Sequence, residues 1–270
     1  MFGDLHIPID QATIAVIDVE TTGLTAALGD RVCEIAVLRC QGGREVARFE
    51  SLVNPERPIS PGAARVNGLS DAMVRAAPRF AEVLGTVEAL VQDAILVAHH
   101  APFDLSFLAA EYQRLRRPPL TNPVVDTLAL ARRHYAFPSN SLGAISRHLG
   151  IPLEREHRAM PDARATHQVF ERMVADLRWR GLHTVADLIR AQGGDICFEQ
   201  PLPPSLPPAL LEALQTGCRL RIRYADRNGV LTERAIDVLQ ISGSYVVAYC
   251  HLRQDQRSFR LDRIVEIWRE

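Results

Sequence analysis

The run Thr13–Val19, Thr-Ile-Ala-Val-Ile-Asp-Val, constrains this chain more than any other stretch. It is β-branched and apolar at both alternating sets of positions, the pattern of a strand covered on both faces. A strand of that kind needs a layer on each side, which points to an α/β fold. Arg31–Arg39 and Arg44–Val53 read as neighbouring strands with Gln41-Gly42-Gly43 as the turn between them. Phe80–Val91 carries apolar residues at helical spacing, Ala94–Ala98 is a short strand, and Phe103–Leu115 a helix. Val125–His134, Ser141–Leu149 and Asp162–Leu177 read as further helices, giving a mixed sheet flanked by helices.

This pattern stops at Gln200. Five prolines in the next eight positions, 201–208, cannot continue helix or sheet and favour a stiff connector. We therefore expect a first domain over 1–180, a helix and proline-rich linker over 181–208, and a second domain over 209–270. After the linker come a short helix, Pro208–Gln215, and five strand-like segments: Arg219–Tyr224, Glu233–Ile241, Tyr245–His251, Ser258–Leu261 and Ile264–Trp268. Asp226–Gly229 and Ser242–Ser244 supply turn chemistry, so the second domain reads as a small all-β module.

Composition excludes several functions. All 31 basic residues are arginine, against 32 acids, for a net charge of -1. Without a lysine there is no Walker A loop, protein kinase, pyridoxal Schiff base or Ser-Lys hydrolase. Near neutrality, binding of a polyanion must rely on local patches or metal ions. The five cysteines, Cys33, Cys40, Cys197, Cys218 and Cys250, form no Cys-x-x-Cys pair and read as core thiols of a reducing compartment. With no signal-peptide pattern and no apolar run of ~18 residues, a cytoplasmic location and no membrane association are expected.

Asp18 and Glu20 close the first strand, and alternate strand residues share a face. Two carboxylates at the end of a buried strand are costly unless compensated, and oxygen-only ligands suit Mg²⁺ or Mn²⁺. Thr21, Thr22, Gly23 and Leu24 follow with hydroxyls, a flexible backbone and an apolar tip. Asp104 and Asp162 each read as first-turn helix acids, His157 as a loop histidine, and Asp126 as a structural acid at a helix start.

In this order the residues resemble the motifs of the DEDDh 3′–5′ exonucleases, of ribonuclease-H-like fold. The motifs are Asp18-Val-Glu20-Thr-Thr-Gly-Leu24, His99-His100-Ala101-Pro102-Phe103-Asp104, and His157 with Asp162 five residues on. Within the family the likeness is to the epsilon proofreading subunits of bacterial DNA polymerase III, over about residues 10–178, with Asn54-Pro55 and Val66-Asn67-Gly68-Leu69 also in pattern. His100 stands where asparagine is usual and Asn67 where histidine is frequent, near where the family holds the substrate end. The resemblance implies that Asp18, Glu20, Asp104 and Asp162 hold two Mg²⁺ or Mn²⁺ ions and that His157 is the general base. It also implies that Thr21, Thr22, Gly23, Leu24, Asn67, His99 and Phe103 meet the substrate, and that nucleoside 5′-monophosphates leave from a nucleic-acid 3′ end.

Tyr245–Arg253 and Phe259–Ile264 resemble a WYL domain, with Ser244 at the signature tryptophan position. That resemblance implies a small Sm- or SH3-like β-barrel. Tyr245, His251, Arg253, Arg257, Arg260 and Arg263 could form a phosphate- and base-binding patch, as readily as a solvated surface on which Asp255 and Asp262 pair some arginines. Three functions remain open at this point: a DNA 3′–5′ exonuclease acting on single-stranded or frayed ends, the same chemistry on short RNA, and a nucleic-acid sensor with the nuclease domain as scaffold. The nucleic-acid 3′ end is the expected partner, and a polymerase or repair partner stays open beside it. The WYL-like tail stands where a polymerase-tethering extension would be expected, which favours a free-standing repair or degradation enzyme.

Overall fold

Strand β1 (Thr13–Thr21) is the middle member of a five-stranded sheet. The computed structural model describes residues 5–26, 29–153, 156–196, 206–226, 229–242 and 245–270. Cys197, prolines 201, 203 and 204, and the tips of the turns at 227–228 and 243–244, Ser244 among them, lie outside the described residues. The chain divides into two compact units, Met1–Ala26 with Asp30–Glu199 and, in the main, Gln200–Glu270.

In the first unit β1 pairs antiparallel with β2 (Val32–Gln41), which turns back through Gly42 and Gly43 into the edge strand β3 (Arg44–Leu52). Both glycines have positive φ, 55° and 71°, which a side chain would resist. Three helices follow, α1 (Pro61–Asn67), α2 (Asp71–Val74) and α3 (Phe80–Val91), before β4 (Ile95–Ala98) joins β1 in parallel. Helix α4 (Ala101–Arg114) then crosses to β5 (Val124–Asp126), which extends the parallel side. The remaining helices are α5 (Thr127–His134), α6 (Leu142–His148), α7 (Ala159–Trp179) and α8 (Val185–Gln192).

Alternation along β1 feeds two separate cores. Ile14 and Val16 join Ala36, Leu38 and Cys40 of β2 under α5–α8. Ala15, Ile17 and Val19 join Ile35 and Val37 under α3 and α4. At ~1.5–3 kcal/mol for each fully buried Val, Leu, Ile or Phe, these two layers outweigh any local propensity and hold the sheet's register. Helix α8 belongs to this unit: Gln192 accepts from the Asp126 N–H at 2.8 Å and donates to the Val124 carbonyl at 2.8 Å.

Two sequence expectations need correction here. Val125–His134 does not begin as a helix: residues 124–126 pair with β4, and Asp126 caps α5 by accepting from the Leu128 N–H at 2.9 Å. Helix α1 was not anticipated, although Ser60 caps it at 3.2 Å, Pro61 opens it, and Gly68 closes it at φ 70°. These are start and stop signals without an apolar stripe, because most of α1 faces solvent.

The second unit packs α9 (Pro208–Thr216) against five strands, β6 (Arg219–Ala225), β7 (Leu231–Ser242), β8 (Tyr245–Cys250), β9 (Asp255–Arg260) and β10 (Ile264–Arg269). Leu210 and Ala213 of α9 meet Leu220, Ile222, Ile236, Val246 and Phe259 in its core. All pairings are antiparallel, in the order β10-β6-β7-β8-β9. The expected barrel is not closed: among the described residues no ladder joins β9 to β10. The sheet is nevertheless curled. A single 3₁₀ turn, Leu261–Arg263, links the two outermost strands, and its ~2 Å rise per residue cannot span four flat inter-strand gaps of ~4.8 Å. No helix among the described residues is long and apolar enough to cross a membrane.

Candidate active site

Strand β1 outruns its parallel neighbour. Its pairing with β4 ends at Val16, so the stretch from Ile17 onwards has no partner on that side. The Asp104 carboxylate, in the first turn of α4, fills part of the gap by accepting from the Val19 N–H at 3.0 Å. That bond sets the Asp104 carboxylate against the backbone of Val19, the residue between Asp18 and Glu20. Asp162, in the first turn of α7, completes the group. Its Oδ2 accepts from the His157 N–H at 2.9 Å. Its Oδ1 is buried and has no hydrogen-bond partner. Glu20, His157 and Asp162 bring ligand-type atoms within 4.8 Å of one another.

The electrostatics of this cluster are unfavourable for the protein alone. Burial, and then Asp104, Glu20, Asp162 and Glu34, push the Asp18 carboxyl well above its ordinary range. Burial and the neighbouring acids raise Glu20 to about 8. Burial raises Asp104 to about 8 against the opposing Val19 hydrogen bond. Asp162 rises to about 6, again chiefly through burial. Among the described residues no arginine pairs with any of the four. An acid cluster with an orphaned buried oxygen and no arginine fits divalent cations, whose preferred donors are carboxylate oxygens.

The loop after β1 is braced internally. Thr21 Oγ1 donates to the Gly23 carbonyl at 2.6 Å, and Thr22 Oγ1 donates to Asp30 at 3.1 Å while accepting from the Arg31 N–H at 3.0 Å. A Cβ on Gly23 would collide with the Asp30 carboxylate, so a side chain there would displace Asp30. These residues shape the loop, and Leu24 stands out from it, 43% exposed. Asn67 is buried at the end of α1, donates to the Thr21 carbonyl at 3.3 Å, and hydrogen-bonds Glu20. His100 adopts φ 74° at the start of α4 and stacks on Phe103, which in turn meets Phe107 at 5.0 Å. Asp126 Oδ1 accepts from the His100 N–H at 2.8 Å. Burial keeps His99 below the ordinary histidine range. Its Nε2 faces the Asn140 carbonyl at 3.0 Å and its Nδ1 faces Thr127 Oγ1 at 2.9 Å. A carbonyl only accepts, so Nε2 carries the proton and Nδ1 accepts from Thr127.

Sequence reasoning passed over Glu34 and Arg158. Glu34 is 1% exposed and lies directly across the β1–β2 ladder from Glu20. The signal was available: an acid inside the otherwise apolar run Val32-Cys33-Glu34-Ile35-Ala36.

The six tail residues do not converge on one surface. Tyr245 pairs with Arg260 across β8 and β9, whereas Arg257 pairs with Ala248 on the opposite face, that of Val246 and Phe259. His251 is held by Asp237 at 2.7 Å and Arg260 by Asp262 at 2.6 Å. Arg253, Arg257 and Arg263 make no ion pair among the described residues, and the first two are exposed.

Comparison with known proteins agrees with this geometry. The profile of the RNase_T family, described as exonuclease, matches residues 15–170, and that of the WYL domain matches residues 207–268. A DNA polymerase III subunit epsilon-like protein of Rhodobacter capsulatus is 42% identical over 182 residues, 66% of this chain and 26% of its own length. The PolC-type DNA polymerase III of Bacillus subtilis is 34% identical over 200 residues, 73% of this chain and 14% of its own length. The chain thus spans about a quarter or less of these relatives. Exonuclease X, solved in complex with 5′ overhanging duplex DNA, superposes with a TM-score of 0.53 at 26% identity, over 67% of this chain and 99% of that one. The nuclease domain of the DEDDh member 3′hExo, bound to rAMP, shares the fold with a TM-score of 0.55 at 19% identity, over 63% of this chain and 95% of that one. The chain belongs to the DEDDh family of 3′–5′ exonucleases and carries a WYL domain behind its nuclease domain.

Proposed function

We propose that the protein removes nucleotides one at a time from the 3′ end of DNA, releasing nucleoside 5′-monophosphates, on single-stranded or frayed ends. The observation that carries this reading is the acid cluster itself: among the described residues, four carboxylates have no arginine partner and the buried Asp162 Oδ1 has nothing to accept from. Asp18, Glu20, Asp104 and Asp162 would hold two Mg²⁺ or Mn²⁺ ions, which neutralise the charge of the phosphodiester and make an attacking water more acidic. His157 lies within reach of Glu20 and Asp162 and takes the proton of that water. Asp162 orients the histidine through its backbone N–H, and Asp104 is itself oriented by Val19. Leu24 and the His100–Phe103 stack offer apolar surfaces for the terminal bases.

DNA is favoured over RNA by the complex of Exonuclease X, the relative in structure with the higher identity, and by the polymerase relatives in sequence. The same relatives support a polymerase or repair setting. The four described cysteines are free, which suits the cytoplasm. In the tail, Arg253 and Arg257, which make no ion pair among the described residues, are the groups we assign to nucleic-acid phosphates. We extend the first domain beyond residue 180 to take in helix α8, which packs in its core, and keep the tail from residue 209.

The test compares end-labelled single-stranded DNA, mismatched duplex DNA and RNA at equal concentration with Mg²⁺ or Mn²⁺. Faster loss of 3′ nucleotides from the two DNA substrates supports the reading. Preference for RNA would reassign the enzyme to short RNA.

A further inference from the structure

Glu34 is an expensive residue to keep where it is. It sits opposite Glu20 in the antiparallel register, where like charges destabilise a sheet, and it raises the proton affinity of Asp18, Glu20 and Asp162. An apolar residue would remove that conflict. A buried ion pair is also weak evidence for stability, because desolvation offsets the attraction. What Glu34 does show is a three-point hold on the segment that carries His157. Arg158 Nε lies 3.0 and 2.9 Å from its two carboxylate oxygens, a second guanidinium nitrogen bonds Oε1, and the Ala159 N–H donates to Oε2 at 3.0 Å. Arg158 and Ala159 are the two residues after His157, whose own φ of 61° is uncommon for a residue with a side chain.

We propose that Glu34 is a positioning residue for hydrolysis: through Arg158 and the Ala159 N–H it clamps the loop that presents His157 to the acid cluster. This rests on the reading of His157 as the general base. The loop is then fixed at two places on either side of the imidazole's attachment, by Asp162 at the His157 N–H and by Glu34 one and two residues later. With the clamp open, the loop keeps only the first hold, and the imidazole samples positions away from the attacking water. Misplacement by about 1 Å is enough to cost on the order of 10²-fold in rate.

The test uses the full chain, a short 5′-labelled single-stranded DNA that the wild type degrades, and saturating Mg²⁺ or Mn²⁺. Glu34→Gln keeps the side-chain shape and should lower kcat by about 10- to 10²-fold with KM little changed. Arg158→Met opens the same clamp from its half-exposed side and guards against a Glu34 variant that folds poorly. Arg158→Lys keeps the charge without the two-pronged contact and should fall between. The decisive comparison is the double variant His157→Ala/Glu34→Gln, which should be no slower than His157→Ala alone, because a residue acting through another has nothing left to position. Unchanged kcat in both Glu34→Gln and Arg158→Met, or losses that multiply in the double variant, would overturn the clamp while leaving the base in place. If His157→Ala itself keeps wild-type kcat, the base assignment fails and the clamp falls with it.

Discussion

The two units treat buried and exposed charge in opposite ways. On the outer face of the tail sheet Arg219, Arg221 and Arg223 alternate along β6, and each is paired with an acid. Arg219 pairs with Asp237 at 2.8 Å, Arg221 with Glu270 at 2.8 Å, and Arg223 with Glu266 at 2.9 Å and Glu233 at 3.1 Å. Arg219, and then burial and His251, act on Asp237 with a net downward shift, and Arg260 likewise lowers Asp262. In the first unit Asp18, Glu20, Asp104 and Asp162 are all shifted the other way. A chain that matches all three arginines along β6 leaves four acids without an arginine among the described residues of the first unit. Charge that the chain does not compensate marks where something outside the chain must.

The sharpest way to break this contrast is Asp18→Ala. It should reduce turnover by on the order of 10³-fold, while the metal-free protein melts at the same temperature or higher because a repulsive acid is gone. Near-wild-type turnover in the folded variant would contradict the assignment. His157→Ala should cost ~10² in kcat or more, with the metal titration little moved. A shifted titration with an unchanged saturating rate would make His157 a ligand.

A smaller effect separates the units by pH. The site acids have raised folded pKa values, so their contribution to stability is present at low pH and is lost as pH rises, between 4.5 and about 8 for Glu20. The metal-free first unit should therefore melt lower at pH 8 than at pH 5, and Mg²⁺ or Mn²⁺ should remove the slope. Asp237 has a lowered pKa, so the tail should lose stability only as pH falls into the carboxylate range. Differential scanning calorimetry across that range distinguishes the two. In the tail, replacing Arg253 and Arg257 by alanine should flatten the salt dependence of binding to long strands by about one unit of slope each. The smallest change is expected for Arg221→Ala, with little effect on stability and none on turnover, as for other exposed pairs.

Much of the first unit was legible because burial on both faces leaves a continuous apolar run, as in Thr13–Val19, and because acids at strand ends and helix starts are chemically conspicuous. What was not legible depended on partners far apart in sequence. Val124–Asp126 became a strand only because β4 lies beside it. The fate of the Thr22 hydroxyl depended on Asp30, and that of Glu34 on Arg158, 124 positions away. The tail's arginines read equally as a patch or as a solvated surface, because sequence spacing does not reveal which face of a curled strand each occupies. Register does, and it sends Arg257 and Arg260 to opposite sides.

The central claim is that the four acids await divalent cations to hydrolyse a 3′ end. A single measurement tests it: metal-free protein is given a 5′-labelled single-stranded DNA in excess EDTA, and Mg²⁺ or Mn²⁺ is then titrated in while products are resolved by length. The account predicts no cleavage before the metal and, after it, a ladder shortening by one nucleotide at a time from the 3′ end. Full activity in EDTA, or immediate release of the labelled 5′ nucleotide, would contradict it.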